Sequence, residues 1–273
     1  MASQLFVVSD PPHGTVDQDE VAALLGIDID VLRLKIGFPA PEVLAANDPE
    51  PALAVAERLE RTGMSVKALD GASLAGVPWP ALVSSCYFDE SALTARVGDE
   101  AIVVPYEAPI AVVSFTPPAD FDGPGAEAIP AVRAAGAGRA LAEAIQFLPG
   151  TDVYVPRPGG LRRITFVGGV TDFGGLPSQP GSATAEVLEA TVAELARRYP
   201  HAAVDTRLEN VRPRRKFAMG DESFDLDMRK LFSYGTLLLR QALMAVDPEL
   251  GDLPQYELGS RVAWALSRSD GAR

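Results

Sequence analysis

Four residues in the second half of the chain are of the types that acid–base or metal chemistry uses: Asp172, His201, Asp205 and Glu209. Carboxylates and an imidazole can share a divalent cation, or divide the roles of general acid and general base. They are the acid and histidine grouping that one sheet could bring together. Each member also has a plain structural role. Asp172 falls in a glycine-rich loop, where Asp is a turn former, and His201 follows Pro200 at a helix end, where a protonated imidazole suits the dipole. A metal-dependent hydrolase or transferase using these four is therefore the alternative reading. The main reading assigns no catalytic residue, no metal and no cofactor.

Nucleophilic chemistry finds little context. There is no G-x-S-x-G, and the two histidines, His13 and His201, are the available bases. Cys86 is the single cysteine, set in a strand-like Val83–Phe88 run, so it forms no internal disulfide and fits a reducing compartment. Gly168–Gly175 matches neither the P-loop nor the dinucleotide fingerprint, and reads as a turn.

Charge points to a second kind of site. The chain has 24 Lys+Arg against 37 Asp+Glu, a net of -13. Residues 157–216 hold ten of those basic side chains and six of the acidic ones, a local excess of four; the rest has 14 against 31. Arg162, Arg163, Arg207 and the loop Arg212, Arg214, Arg215, Lys216 can grip a small anionic ligand, since arginine forks match carboxylate and phosphate oxygens. The competing reading pairs these arginines with the protein's own acids. The acidic surround argues against nucleic acid as a partner.

The elements that position these residues centre on 150–208. Thr151–Val155 and Leu161–Val167 form a hairpin around the turn residues Pro156–Gly160, with Leu161, Arg163, Thr165 and Val167 on one face of the return strand. A helix follows from Ser182, with Leu188, Val192, Leu195 and Tyr199 on one face and Pro200 as its stop, and then a strand at Ala203–Leu208. Four short strands are expected at 81–88, 92–97, 100–105 and 109–115. Residues 140–147, a long stretch from 221 or 223 past Leu243, and 255–266 are expected to be helical.

At the start of the chain, Leu5–Val8 is a strand. Asp17 and Glu20 open a helix that Gly26 closes. A second helix runs from about Asp28 to Ile36, and 41–45 is a strand. Asp48 and Pro49 open an amphipathic helix with Ala52, Leu53, Ala56 and Leu59 on its apolar face and Gly63 as its stop; a strand at 64–69 follows. This β-α-α-β-α-β order, with Leu25-Gly26-Ile27, Pro41, Leu44, Ala52, Ala56, Leu59, Gly63 and Val66, resembles the C-terminal domain of the bacterial ribosomal stalk protein over residues 4–70. At fold level the Clp protease adaptor looks similar. In both families the module docks another protein, so the resemblance implies a non-catalytic docking role, expected here at Val31, Arg33, Lys35, Glu57 and Arg61. The stalk domain is lysine-rich across its second helix, whereas this chain has Arg33 and Lys35 beside Asp28 and Asp30.

The expected whole is an α+β protein in four parts: a docking module at 1–71, a small antiparallel β unit at 78–118, a Pro/Ala/Gly-rich linker at 119–138, and an α+β domain at 139–273. Residues 71–80 read as a further linker. The N-terminus lacks the pattern of a secretion signal, and the apolar tract 231–246 is broken by Ser233, Gly235, Arg240 and Gln241, so the expected location is the cytoplasm, without membrane contact. The expected function is an adaptor or regulatory scaffold that binds protein partners, with an anion-binding C-terminal domain. A structural subunit of a larger assembly is the second alternative.

Overall fold

A computed structural model describes residues 4–11, 13–29, 32–33, 41, 43–116, 125–145, 148–174, 184–208, 253 and 255–270. The fold is α+β, with three sheets among these residues. The chain divides into two compact units. One joins residues up to Gly76 with C-terminal residues that include those from Arg261 on; the other takes Val77–Glu209 and Pro254–Ser260. The expected helix at 28–36 is described only in part, and the one at 221–243 and the basic loop at 212–216 lie outside the described residues.

In the first unit, β1 (Leu5–Ser9) is the centre of a three-stranded antiparallel sheet, flanked by β2 (Val43–Asn47) and β3 (Val66–Asp70). Helix α1 (Gln18–Leu25) starts where Asp17 Oδ1 accepts the Glu20 N–H at 3.1 Å, and ends where Gly26 takes the left-handed conformation at φ 63°. Helix α2 (Pro49–Arg61) starts with proline in its first turn; Asp48 stands at the cap position without a side-chain capping bond. Ala52, Ala56 and Leu59 form its buried stripe with Val7, Val21 and Leu32. Leu53, expected on that stripe, is 53% exposed, because one residue on from Ala52 is a 100° turn toward solvent.

The sheet's other face is also buried, through Phe6 and Val8. Residues 71–80, expected as linker, begin with α3 (Gly71–Ala75), which Asp70 caps by accepting from the Ser73 N–H and hydroxyl, both at 3.0 Å. Arg261, buried, donates to Leu74 O at 2.9 Å. The first unit therefore reaches past residue 71 and draws on the C-terminal helix.

The second unit is built from two four-stranded sheets. One has the order β10-β4-β5-β6, from β4 (Ser85–Phe88), β5 (Ala92–Val97), β6 (Glu100–Pro105) and β10 (Asp172–Gly174). The other has the order β11-β7-β8-β9, from β7 (Ala111–Phe115), β8 (Gly150–Arg157), β9 (Gly160–Val167) and β11 (Ala203–Leu208). β10 lies parallel to β4 and β11 parallel to β7; the other pairs are antiparallel. Leu93, Ile102 and Val104 of one sheet and Val112, Val153, Ile164 and Phe166 of the other share a core with Leu188, Val192, Leu195 and Tyr199 of α6 (Thr184–Arg198).

This pairing replaces two of the expected parts. The strands of 78–118 form no separate unit: β4 pairs with β10, β7 pairs with β8 and β11, and Val83 N–H donates to Thr165 O at 2.9 Å. Four short strands cannot bury both their faces alone, and the later strands and α6 supply the missing side. Within the expected linker, 125–128 is a 3-10 turn and Ile129–Ala135 is α4; Gly138–Ile145, α5, follows at once. The final helix, α7, runs Gln255–Asp270. Among the described residues no helix is long and apolar enough to cross a membrane.

Gly63 follows α2 with φ 90°, and a Cβ there would lie 2.0 Å from Thr15 O. Gly63→Ala should therefore destabilise the first unit by about 2 kcal/mol or more, read as a lowered midpoint in urea unfolding.

Candidate functional site

The hairpin turn is two residues long, Pro158–Gly159, with Gly159 at φ 97°. That turn sets Arg157 opposite Gly160, and hence Tyr154 opposite Arg163 and Asp152 opposite Thr165. Because alternate residues share a face, Val153, Val155, Ile164 and Phe166 enter the core between the sheets. Asp152, Tyr154, Arg163 and Thr165 point the other way, and all four are at most 1% exposed. Among the described residues, Glu257 and Ser260 in the opening of α7 reach this face.

Arg163 is the hub of this buried polar cluster. Its Nη2 donates to Asp152 Oδ2 and its Nη1 to Glu257 Oε1, each at 2.7 Å. Thr165 Oγ1 donates to Asp152 Oδ1 at 2.6 Å, and Ser260 Oγ donates to Asp152 Oδ2 at 2.6 Å. Ser260 has one proton and spends it on Asp152, so Tyr154 is the donor in the 2.6 Å contact between their hydroxyls. The guanidinium also lies 5.4 Å from the Tyr154 ring centroid. Burial alone would lower the Arg163 pKa, but the Asp152 and Glu257 carboxylates outweigh it and hold the guanidinium firmly charged. Burial raises the Tyr154 and Tyr256 phenols, which stay neutral.

Arg162, next in sequence, has the opposite parity and a different fate. It sits at the rim of the inter-sheet core and grips Glu100 of β6 with both nitrogens, at 2.9 and 2.7 Å. At the end of α6, Arg198 lies between the Phe88 and Tyr106 rings, at 5.4 and 5.3 Å, and reaches the Tyr106 hydroxyl at 2.7 Å. Arg197 and Arg198 together hold the Glu194 carboxyl down at about 2.

The residues singled out from sequence are dispersed. Asp172 opens β10 in one sheet and Asp205 lies in β11 of the other, while His201 is in the exposed turn after α6 and Glu209 is outside the described residues. One sheet does not bring them together, because Asp172–Gly174, within the glycine-rich stretch, forms a strand that adds to β4 rather than to β7. Among the described residues no three His, Cys, Asp or Glu side chains are grouped to hold a metal ion. Asp205 instead forks with Arg207, its Oδ2 accepting from Nη2 at 2.6 Å. Arg162, Arg163 and Arg207 are thus each engaged by the protein's own acids, and Arg212, Arg214, Arg215 and Lys216 lie outside the described residues. In the first unit Arg33 Nε donates to Gln18 Oε1 at 3.0 Å, Glu57 and Arg61 form an exposed pair at 3.7 Å, and Val31 and Lys35 lie outside the described residues.

Cys86 is buried, and burial, with Asp172 adding to it, pushes its thiol up to about 12, far from a reactive thiolate. His13 Nδ1 accepts the Ser65 N–H at 3.2 Å, which fixes its neutral form with the proton on Nε2.

Asp152, Tyr154, Thr165, Glu257 and Ser260 had not been singled out. Strand alternation puts Asp152 and Tyr154 on one face, and a two-residue turn would have set them against Thr165 and Arg163. No sequence signal joins Arg163 to Glu257, 94 residues away. No family model matches this chain, and no characterised protein or solved structure matches it either.

Arg163→Met removes the buried guanidinium that Asp152 and Glu257 share and should cost about 3–5 kcal/mol in urea unfolding, whereas Arg162→Met should leave the midpoint nearly unchanged. His13 adds a pH dependence. Burial lowers its pKa in the fold against a small opposing pull from Asp10, so its contribution is complete above the unfolded value of about 6.5 and is lost as the pH falls below it. His13→Gln should flatten that part of the stability–pH curve.

Proposed function

We propose that the chain is a non-catalytic adaptor or regulatory scaffold that binds a protein partner through the outward face of α2. The observation that carries this reading is Leu53, a large apolar side chain left 53% exposed in the middle of a helix whose other exposed positions include Glu50, Glu57, Glu60 and Arg61. An apolar centre within a charged rim is the usual anatomy of a protein contact. The likeness of residues 4–70 to the docking modules of the ribosomal stalk and the Clp adaptor supports the same conclusion. The Glu57–Arg61 pair is 72% and 69% exposed at its side chains, so a partner can engage either charge without disturbing the core.

The test is capture from the native cell extract with the full chain, beside Leu53→Asp and the charge swap Glu57→Lys/Arg61→Glu. These surface changes should alter stability by no more than about 0.5 kcal/mol. A protein retained by the unaltered chain and lost from both variants is the expected result. Equal retention by all three forms would remove α2 as the docking face.

A further inference from the structure

The sheet β10-β4-β5-β6 has one face in the core and one in solvent. Cys86, Leu93, Ala95, Ile102 and Val104 point inward, so strand alternation sends Tyr87, Thr94, Arg96 and Val103 outward. Two of the large apolar side chains left exposed among the described residues stand on this outer face, Tyr87 at 54% and Val103 at 53%. Register aligns them. Gly174, Tyr87, Thr94 and Val103 are successive partners across the four strands, and Asp172, Ser85, Arg96 and Ala101 form the adjacent row.

These two rows are complementary to themselves. A two-fold axis running along the strands between β4 and β5 lays a second copy face to face on the first, with β6 over β10 and β5 over β4. Strand directions then agree, as in the aligned packing of stacked sheets. Val103 of each copy meets Gly174 of the other, the position of that row without a side chain, and Tyr87 meets the Thr94 methyl. Asp172 falls over Ala101, one strand spacing of ~4.8 Å from Arg96, a gap that the arginine stem spans.

Charge agrees with this arrangement. The net charge of -13 opposes self-association in general, so any attraction has to be local. On the outward positions of these strands the charged residues are Arg96 and Asp172, one of each sign. Neither side chain forms an ion pair among the described residues, and both are exposed.

We propose that this face is the two-fold interface of a homodimer, with Tyr87 beside the axis and an Arg96–Asp172 ion pair between the copies on either side. The interface is separate from the docking proposed at α2 and does not rest on it.

Sedimentation equilibrium of the full chain over rising concentration should show the mass climbing from that of one chain toward that of two. Arg96→Glu sets two carboxylates together on both sides of the axis, and Asp172→Lys sets two cations together; each should weaken the dimer about tenfold or more. A one-to-one mixture of the two variants pairs opposite charges again at both places, and should dimerise as the unaltered chain does. Both changes fall on exposed side chains and should leave the urea midpoint nearly unchanged. Should either variant fail that check, Val103→Lys on the same face should weaken the dimer to a similar degree. A single-chain mass up to the millimolar range, a dimer that these substitutions leave intact, or a mixture of the two folded variants that stays dissociated would overturn the inference.

Discussion

Arg163 is fully buried and carries a fixed charge onto the outer face of a β-sheet, and that charge dictates what must surround it. A guanidinium out of water requires carboxylates, and here it meets one from the neighbouring strand and one from a helix 94 residues later. Asp152 must be satisfied in turn, which accounts for Thr165 on one oxygen and Ser260 on the other. The Ser260 hydroxyl, having donated, is free to accept from Tyr154. One buried cation thus determines the identity of five other side chains and brings the start of α7 onto the sheet.

The opposite face of the same hairpin follows ordinary apolar logic. Val153, Val155, Ile164 and Phe166 complete a core that β4–β6 and α6 close from the other side. Arg162 and Glu100 share the parity of that core but stand at its rim, where their fork stays half in water. Adjacent arginines therefore have unrelated roles because strand alternation sends them to opposite sides of one sheet.

Much of this was legible in the sequence where local rules decide. The α6 stripe of Leu188, Val192, Leu195 and Tyr199, the caps of α1, and the strands 92–97, 100–105 and 203–208 follow from period, capping and turn residues. What failed was non-local. Nothing in 85–88 announces that three residues within the glycine-rich stretch will add a parallel strand, and so Asp172 and Asp205 were expected on one sheet although they belong to two. Charge counting found the arginine-rich region but not its neutralisation, because Glu100 and Glu257 approach Arg162 and Arg163 only once the sheets and α7 have assembled. Reading the turn as the five residues 156–160 also left the register open, and with it the pairing of Asp152 and Tyr154 with Thr165 and Arg163. Leu53 shows the same limit on a smaller scale: an apolar residue one position off the stripe reads as core until the helix is seen against its sheet.

The claim on which the rest depends is that Arg163 and Glu257 act as one unit in holding the start of α7 to the hairpin. A double-mutant cycle with Arg163→Met and Glu257→Gln, read by amide hydrogen exchange across residues 256–260, measures this directly. Coupling of about 1–3 kcal/mol is the predicted result, with the second substitution adding little opening once the first is made. Effects that sum independently to within about 0.5 kcal/mol would contradict it, and would place the attachment of α7 in its apolar contacts instead.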